Sequence, residues 1–128
     1  MSGETTVRAI EASEIPAFRE AFATVFAFDA REEDLESFEN WVELDRTMAV
    51  VEDGRFVATG GAVTFRMVVP GGELVDAAGL TLISVQPTHR RRGLLRRMIE
   101  RHFDDAESRG EPVSILWASE SSIYGRFG

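Results

Sequence analysis

Val85-Gln86-Pro87-Thr88-His89-Arg90-Arg91-Arg92-Gly93-Leu94-Leu95 joins a stretch of strand-like apolar spacing to a stretch of helical spacing. Upstream of it, Glu73 to Val85 reads as a long strand. Downstream, Leu95, Met98, Ile99, Phe103 and Ala106 fall on one face of a helix expected from about Gly93 to Arg109. A strand that enters a helix this way aims the unpaired first N–H groups of the helix at one point, and the helix dipole adds positive potential there. Such a turn suits a phosphate-bearing ligand. The main-chain N–H groups from about Arg91 to Leu95 would do the holding, and Gly93 would let the backbone come close. Positive side chains at a helix N-terminus are unfavourable without an anion, so three arginines clustered there argue for one. The competing readings are a solvated basic helix start and a nucleic-acid contact.

After the helix, Gly110 is suited to the C′ position and Pro112 stops helical continuation. Val113 to Trp117 reads as a further strand. A strand–helix–strand crossover makes it parallel to the strand before the turn. Toward the N-terminus the order is different. Thr6 to Ile10 is an expected first strand. Ser13 is an expected N-cap for a helix carrying Ile15, Phe18, Phe22, Val25 and Phe26 on one face, with Pro16 tolerated in its first turn. A second short helix is expected from Glu32 to Val42, burying Leu35, Phe38 and Trp41. Met48 to Val51 is a strand, Asp53-Gly54 a hairpin turn, and Arg55 to Val69 a long strand with a bulge expected at Gly60-Gly61. Pro70-Gly71-Gly72 turns the chain again. The expected architecture is one α/β (α+β) domain over residues 1–128, with early antiparallel hairpins, one late parallel pair and helices on both faces. The aromatic and glycine-rich end, Tyr124-Gly125-Arg126-Phe127-Gly128, reads as interrupted, so the domain is expected to be truncated before its last strands.

Composition narrows the chemistry. All 14 basic residues are arginine, which excludes Schiff-base and P-loop lysines. Cysteine is absent, which excludes thiolate nucleophiles, thiolate metal sites and disulfides. No cluster has zinc-ligand spacing, so no metal is expected. The net charge of -8 weighs against general nucleic-acid binding and is compatible with a cationic substrate. No apolar run approaches a membrane span, and Met1-Ser2-Gly3-Glu4 lacks the features of a signal peptide; a cytoplasmic location is the expectation. His102 lies on or beside the helical stripe and is expected to be a packing residue, and His89 to touch solvent or phosphate. Ser119, Ser121 and Ser122 lack the neighbours a nucleophile needs.

Val85, Pro87, Arg90 and Gly93 fit, in register, the cofactor motif V-x-P-x-x-[QR]-x-x-G-x-[GA] of the GCN5-related N-acetyltransferases, which this sequence resembles from about Gly79 to Gly128. Leu95 departs from the usual small residue. The string His89-Arg90-Arg91-Arg92-Gly93-Leu94-Leu95-Arg96, however, is similar to the "enhanced intracellular survival" (Eis) branch, where leucine is normal. The tail from Trp117 to Gly128 resembles the same branch.

The resemblance implies acetyl-CoA as cofactor and a small-molecule amine as acceptor, of the aminoglycoside or polyamine kind. It implies that Ile83, Ser84 and Val85 run beside the pantetheine arm, and that Arg91, Arg92, Gly93, Leu94, Leu95 and Arg96 hold the pyrophosphate mainly through backbone N–H groups. Ser119 and Glu120 would line the other side, where the parallel strands splay. Tyr124, the one tyrosine in the chain, would be the general acid for the departing thiolate. A main-chain N–H near Val85 would meet the developing oxyanion. The branch takes its base from the C-terminal carboxylate of a longer chain, so weak or no turnover is expected of these 128 residues alone. A homo-oligomer, a hexamer in that branch, is expected, with neither nucleic acid nor membrane as partner. Two other functions fit the residues: a CoA-binding module in which Tyr124 is idle, and a nucleic-acid-binding domain using Arg90, Arg91 and Arg92.

Overall fold

The computed structural model describes residues 5–26 and 39–116. Strands β1 (Thr6–Arg8), β2 (Met48–Glu52), β3 (Arg55–Val68), β4 (Leu74–Val85) and β5 (Val113–Leu116) form one sheet in sequence order. The first three pairings are antiparallel, and β4 with β5 is parallel. Helix α1 (Ile15–Phe26) follows β1, and α2 (Leu94–Ser108) carries the chain from β4 over to β5. This is the expected mixed sheet. The β2–β3 hairpin turns at Asp53 and Gly54, both left-handed at φ +52° and +75°, as a two-residue hairpin requires.

The period of two along β2 sorts its side chains onto two faces. Met48 and Val50 join Val57, Ala58 and Leu80 beneath Leu94, Met98 and Ile99 of α2. Ala49 joins Ile10, Ile15 and Phe18 on the α1 face, with Val51, Phe56 and Leu82 packed alongside. Phe18 and Met98 are fully buried, each contributing roughly 1.5–3 kcal/mol of transfer free energy.

Two bulges break this alternation. In β3, Val50 faces Ala58 but Val51 faces Phe56, which makes Val57 the extra residue; Val57 and Ala58 therefore both pack on the α2 face. The second irregularity is expected at Gly60-Gly61, but the extra residue sits across from it, on β4. Thr59 faces Ser84 and Gly61 faces Thr81, so Gly60 stands against Leu82 and Ile83 together. Leu82 takes up the extra length with φ +59°. Gly60 is instead the receiving side, because a Cβ there would lie 2.9 Å from Met48 Cε and 3.0 Å from Ile83 Cδ1.

Other expectations shift in detail. Ser13 is not a cap: α1 is preceded by a 3-10 turn over Ala12–Glu14, and the Glu14 carboxylate accepts the Glu11 N–H at 3.0 Å while taking the Arg8 guanidinium at 2.7 Å. Leu35 and Phe38 of the expected second helix lie outside the described residues; residues 39–41 are helical, and Trp41 is exposed rather than core. On α2 the buried row is Leu94, Met98, Ile99, His102 and Ala106, which leaves Phe103 exposed. His102 occupies the core position because Ser114 on β5 meets its Nε2 at 2.5 Å. Burial, then the neighbouring Arg46 charge, pushes its pKa below the ordinary 6.5.

Candidate functional site

Strand β4 ends in the Pro87–His89 3-10 turn, and the chain reaches α2 through four residues of alternating backbone hand. Arg91 has φ +65° and Gly93 φ +73°, with Arg92 and Leu94 on the negative side. Successive residues of alternating sign turn their N–H groups inward to form an anion-binding nest. Gly93 is the N-cap and supplies no side-chain cap, and the first bond of the helix runs from Arg97 N–H to the Gly93 carbonyl. The N–H groups before Arg97 therefore lie ahead of the helical ladder and, with the dipole, favour negative charge.

The turn is braced from two sides. Glu52, at the end of β2, accepts from Arg92 and meets His89 Nε2, both at 3.1 Å. The Glu52 carboxyl is held below its ordinary range, chiefly by the His89 hydrogen bond. Thr88 Oγ1 meets the other ring nitrogen of His89 at 2.7 Å. His89 is thus a strut between turn and hairpin. On the opposite side, the Gln86 side chain donates to the Ala21 carbonyl of α1 at 3.1 Å.

The edge of β4 leads into the nest. Its pairing with β5 runs only from Ala77↔Val113 to Leu80↔Leu116, and among the described residues Thr81 to Val85 are bonded on the β3 side alone. Gln86 N–H donates to Val57 O on β3 at 2.9 Å. Backbone groups alternate sides along a strand, so the Val85 N–H points away from β3, toward the edge that is unpaired among the described residues.

The fold brings Ile83, Ser84, Val85, Arg91, Arg92, Gly93, Leu94, Leu95 and Arg96 onto one continuous path, but few of their side chains lie along it. Ile83, Val85 and Leu95 pack against the α2-face core, and Leu94 is part of it. The Ser84 side chain turns to the other face and meets Thr59. Arg92 is tied to Glu52. Any ligand on this path is therefore contacted chiefly by main chain. Trp117, Ser119, Glu120 and Tyr124 lie outside the described residues. Sequence reasoning missed Glu52 and Gln86, whose roles depend on pairings between distant elements; Glu52 stands in no local pattern, and Gln86 fills a variable position of one. Among the described residues, no group of His, Asp and Glu could hold a metal ion, and no helix is long and apolar enough to cross a membrane.

A cavity of about 360 Å³ lies elsewhere, between the Leu44–Arg46 turn and α2. It is lined by Asp45, Arg46, Thr47, Met48, His102 and Asp105, among others. Arg46 is fully buried there. It donates to Glu111 at 2.8 and 2.6 Å, to Asp105 at 3.0 Å and to Thr64 at 3.0 Å. This network fastens the C-terminal end of α2 to the sheet and is remote from the turn.

A family model described as an acetyltransferase (GNAT) domain matches residues 6–128. An uncharacterised N-acetyltransferase of Streptomyces avermitilis is 50% identical over 96 residues, covering 75% of this chain and 24% of the relative. The chain thus spans about a quarter of the length of such curated relatives. The crystal structure of Eis1 from Mycobacterium abscessus has a TM-score of 0.84 at 31% identity, over 97% of this chain and 30% of that one. The structure of a predicted acetyltransferase from Clostridium acetobutylicum with acetyl-CoA has a TM-score of 0.81 at 16% identity, over 98% and 89% of the two chains. At that identity the likeness is one of fold.

Proposed function

Because the chain belongs to the GNAT acetyltransferase family, we propose that it is an acetyl-CoA-dependent N-acetyltransferase acting on a small-molecule amine of the polyamine or aminoglycoside class. The observation that carries this reading is the continuity of the nest at Arg91–Leu94 with the edge of β4 that is open among the described residues. A nest takes a pyrophosphate; an extended, unpaired strand edge takes an amide-bearing arm as a further strand would be taken. CoA has both parts in that order. The Clostridium acetobutylicum protein with acetyl-CoA shares the fold.

Bound acetyl-CoA supplies an acetyl group activated as a thioester. Main chain of Ile83, Ser84 and Val85 lies beside the pantetheine arm, and N–H groups from Arg91, Arg92, Gly93, Leu94, Leu95 and Arg96 hold the pyrophosphate. The Val85 N–H, aimed at the open edge, donates to the thioester carbonyl oxygen as charge develops on it. Tyr124 gives its proton to the departing thiolate; its reference pKa of about 10 lies close enough to a thiol's for transfer at that moment. In this reading Ser119 and Glu120 also belong to the cofactor-binding set. The acceptor amine attacks as the neutral nucleophile, and the proton it sheds on becoming the amide balances the one Tyr124 gives to the thiolate; the acidic surface of a chain at -8 draws polycations toward the site. A cytoplasmic homo-oligomer with neither nucleic acid nor membrane as partner completes the reading.

Calorimetric titration of the chain with acetyl-CoA, followed by thiol release from acetyl-CoA over a panel of polyamines by the full-length protein, tests this. Acetyl-CoA binds, and Tyr124→Phe slows thiol release by about 100-fold or more while leaving acetyl-CoA affinity within about threefold. Absence of acetyl-CoA binding sinks the reading. Binding without amine-dependent release, or release by Tyr124→Phe at the parent rate, leaves only a CoA-binding module or an idle tyrosine.

A further inference from the structure

The Thr59 hydroxyl sits between two groups of β4. It donates to the Leu82 carbonyl oxygen at 2.7 Å and meets Ser84 Oγ at 2.6 Å. A hydroxyl has one proton to give, so with Thr59 donating to Leu82, Ser84 is the donor to Thr59. Thr59 is fully buried and Ser84 is 3% exposed. The two hydrogen bonds span the bulge: Leu82 carries the left-handed φ of +59°, and Ser84 is the first residue back in regular register with β3.

Left-handed backbone at a leucine is unfavourable and persists only where its surroundings over-determine it. Here the surroundings are Thr59 above and Gly60 beside it, the latter leaving room for Ile83. The bulge also has a consequence two residues on. Without it, the residues after Leu80 facing the α2 core would be Leu82 and Ser84. With it they are Ile83 and Val85, and the hand of each N–H changes with its side chain. The bulge therefore decides that Val85, packed by its side chain in the core, sends its N–H to the open edge.

Building on the acetyl-CoA reading above, we propose that Thr59 is a positioning residue. Its hydroxyl clasps the Leu82 carbonyl and Ser84, fixing the β4 bulge so that the Val85 N–H stays aimed at the thioester carbonyl. Thr59 touches no substrate and acts through the backbone of β4. Its neighbour Ala58, which faces Val85 across the ladder, has no group that could do the same.

The test is Thr59→Val, which keeps shape and removes the hydroxyl, beside Thr59→Ser, which keeps the hydroxyl. In the ligand-free chain, hydrogen exchange at the Ser84 and Gln86 amides, which face β3, speeds up on the order of tenfold in Thr59→Val and stays near the parent rate in Thr59→Ser. On adding acetyl-CoA, the Val85 amide resonance shifts in the parent chain and in Thr59→Ser, and not in Thr59→Val. The Gly93 and Leu94 resonances shift in all three, because the nest is intact. Ser84→Ala removes one arm of the clasp, gives the same pattern at smaller amplitude, and decides the matter if the valine variant does not fold. Unchanged exchange and an unchanged Val85 response in Thr59→Val overturn the proposal. So does joint loss of the nest and edge responses in both Thr59 variants, which marks Thr59 as plain core. If acetyl-CoA shifts nothing in the parent chain, the cofactor reading falls, and exchange at Ser84 and Gln86 alone judges the clasp.

Discussion

Gly93 is where the anion site can be probed through backbone conformation with sterics held aside. Its φ is +73°, and a Cβ built there meets nothing within 4 Å. Substitutions at this position therefore differ only in how readily each residue adopts left-handed backbone. Asparagine visits that region routinely, so Gly93→Asn loses only a few tenths of a kcal/mol. Alanine loses about 1 kcal/mol. Valine, β-branched and a genuine outlier at positive φ, loses about 2 kcal/mol or rotates the turn out of shape. For a domain of this size the alanine loss lowers Tm by roughly 3–5 °C. If the nest holds a pyrophosphate, the same order governs CoA affinity. A flattened turn in Gly93→Val withdraws at least one charge-assisted hydrogen bond, worth about tenfold or more in Kd, whereas Gly93→Asn stays within about threefold. Urea denaturation gives the stabilities and calorimetric titration with CoA the affinities. Valine tolerated as well as asparagine in both measurements would refute the argument, because nothing in the packing around residue 93 could then distinguish them.

Glu111→Ala leaves the fully buried Arg46 with Asp105 as its remaining carboxylate; urea denaturation should show a loss of about 3–5 kcal/mol, and the paired change Arg46→Met with Glu111→Leu a smaller one, since no charge is then stranded. Equal losses would mean that the pairing contributes more than the desolvation it requires. Stability should also fall in two steps on acidification. His102 has a depressed pKa, so its contribution is present above the ordinary 6.5 and is lost as pH drops below that value; His102→Gln flattens this step. Glu14 is held at about 2, chiefly by its Arg8 hydrogen bond, so its contribution is present above 4.5 and is lost as pH falls toward 2. An NMR titration in Arg8→Ala that leaves the Glu14 carboxyl near 2 would rule out that cause.

What a sequence displays is local periodicity and local turn chemistry, and the parts of this fold that depend on those were legible. The β2–β3 hairpin follows from Asp53-Gly54, the crossover from the α2 pattern and Gly110, and the strand-to-helix turn from three arginines and a glycine between two periods. Pairing between distant segments was not legible. The extra residue assigned to the glycines of β3 belongs to β4, because glycine accommodates a neighbour's bulge as readily as it forms one, and one strand alone cannot say which. Phe103 looked like core by spacing, but His102 displaced it once Ser114 was within reach. Glu52 and Thr59 stand in no motif, and Gln86 fills a variable position of one; each matters only because of the strand or helix placed against it.

The same separation explains why Leu95 can stand where the family motif usually has glycine or alanine. If side chains held the ligand, a leucine inside the turn would crowd it. In this fold the Leu95 side chain packs, partly buried, against the α2-face core, beside Ile83 and Val85. The nest is made by the backbone of Arg91 to Leu94, so the leucine adds apolar burial without entering the anion's space. The arginines obey the opposite constraint. Arg92 is drawn off to Glu52, so it contributes charge near the turn more than a direct contact. In the proposed reading, strand β4 and the start of α2 are thus used twice, side chains toward the core and main chain toward the cofactor. The motif is strict at Gly93 for a backbone reason: its φ of +73° favours glycine over residues that resist left-handed backbone.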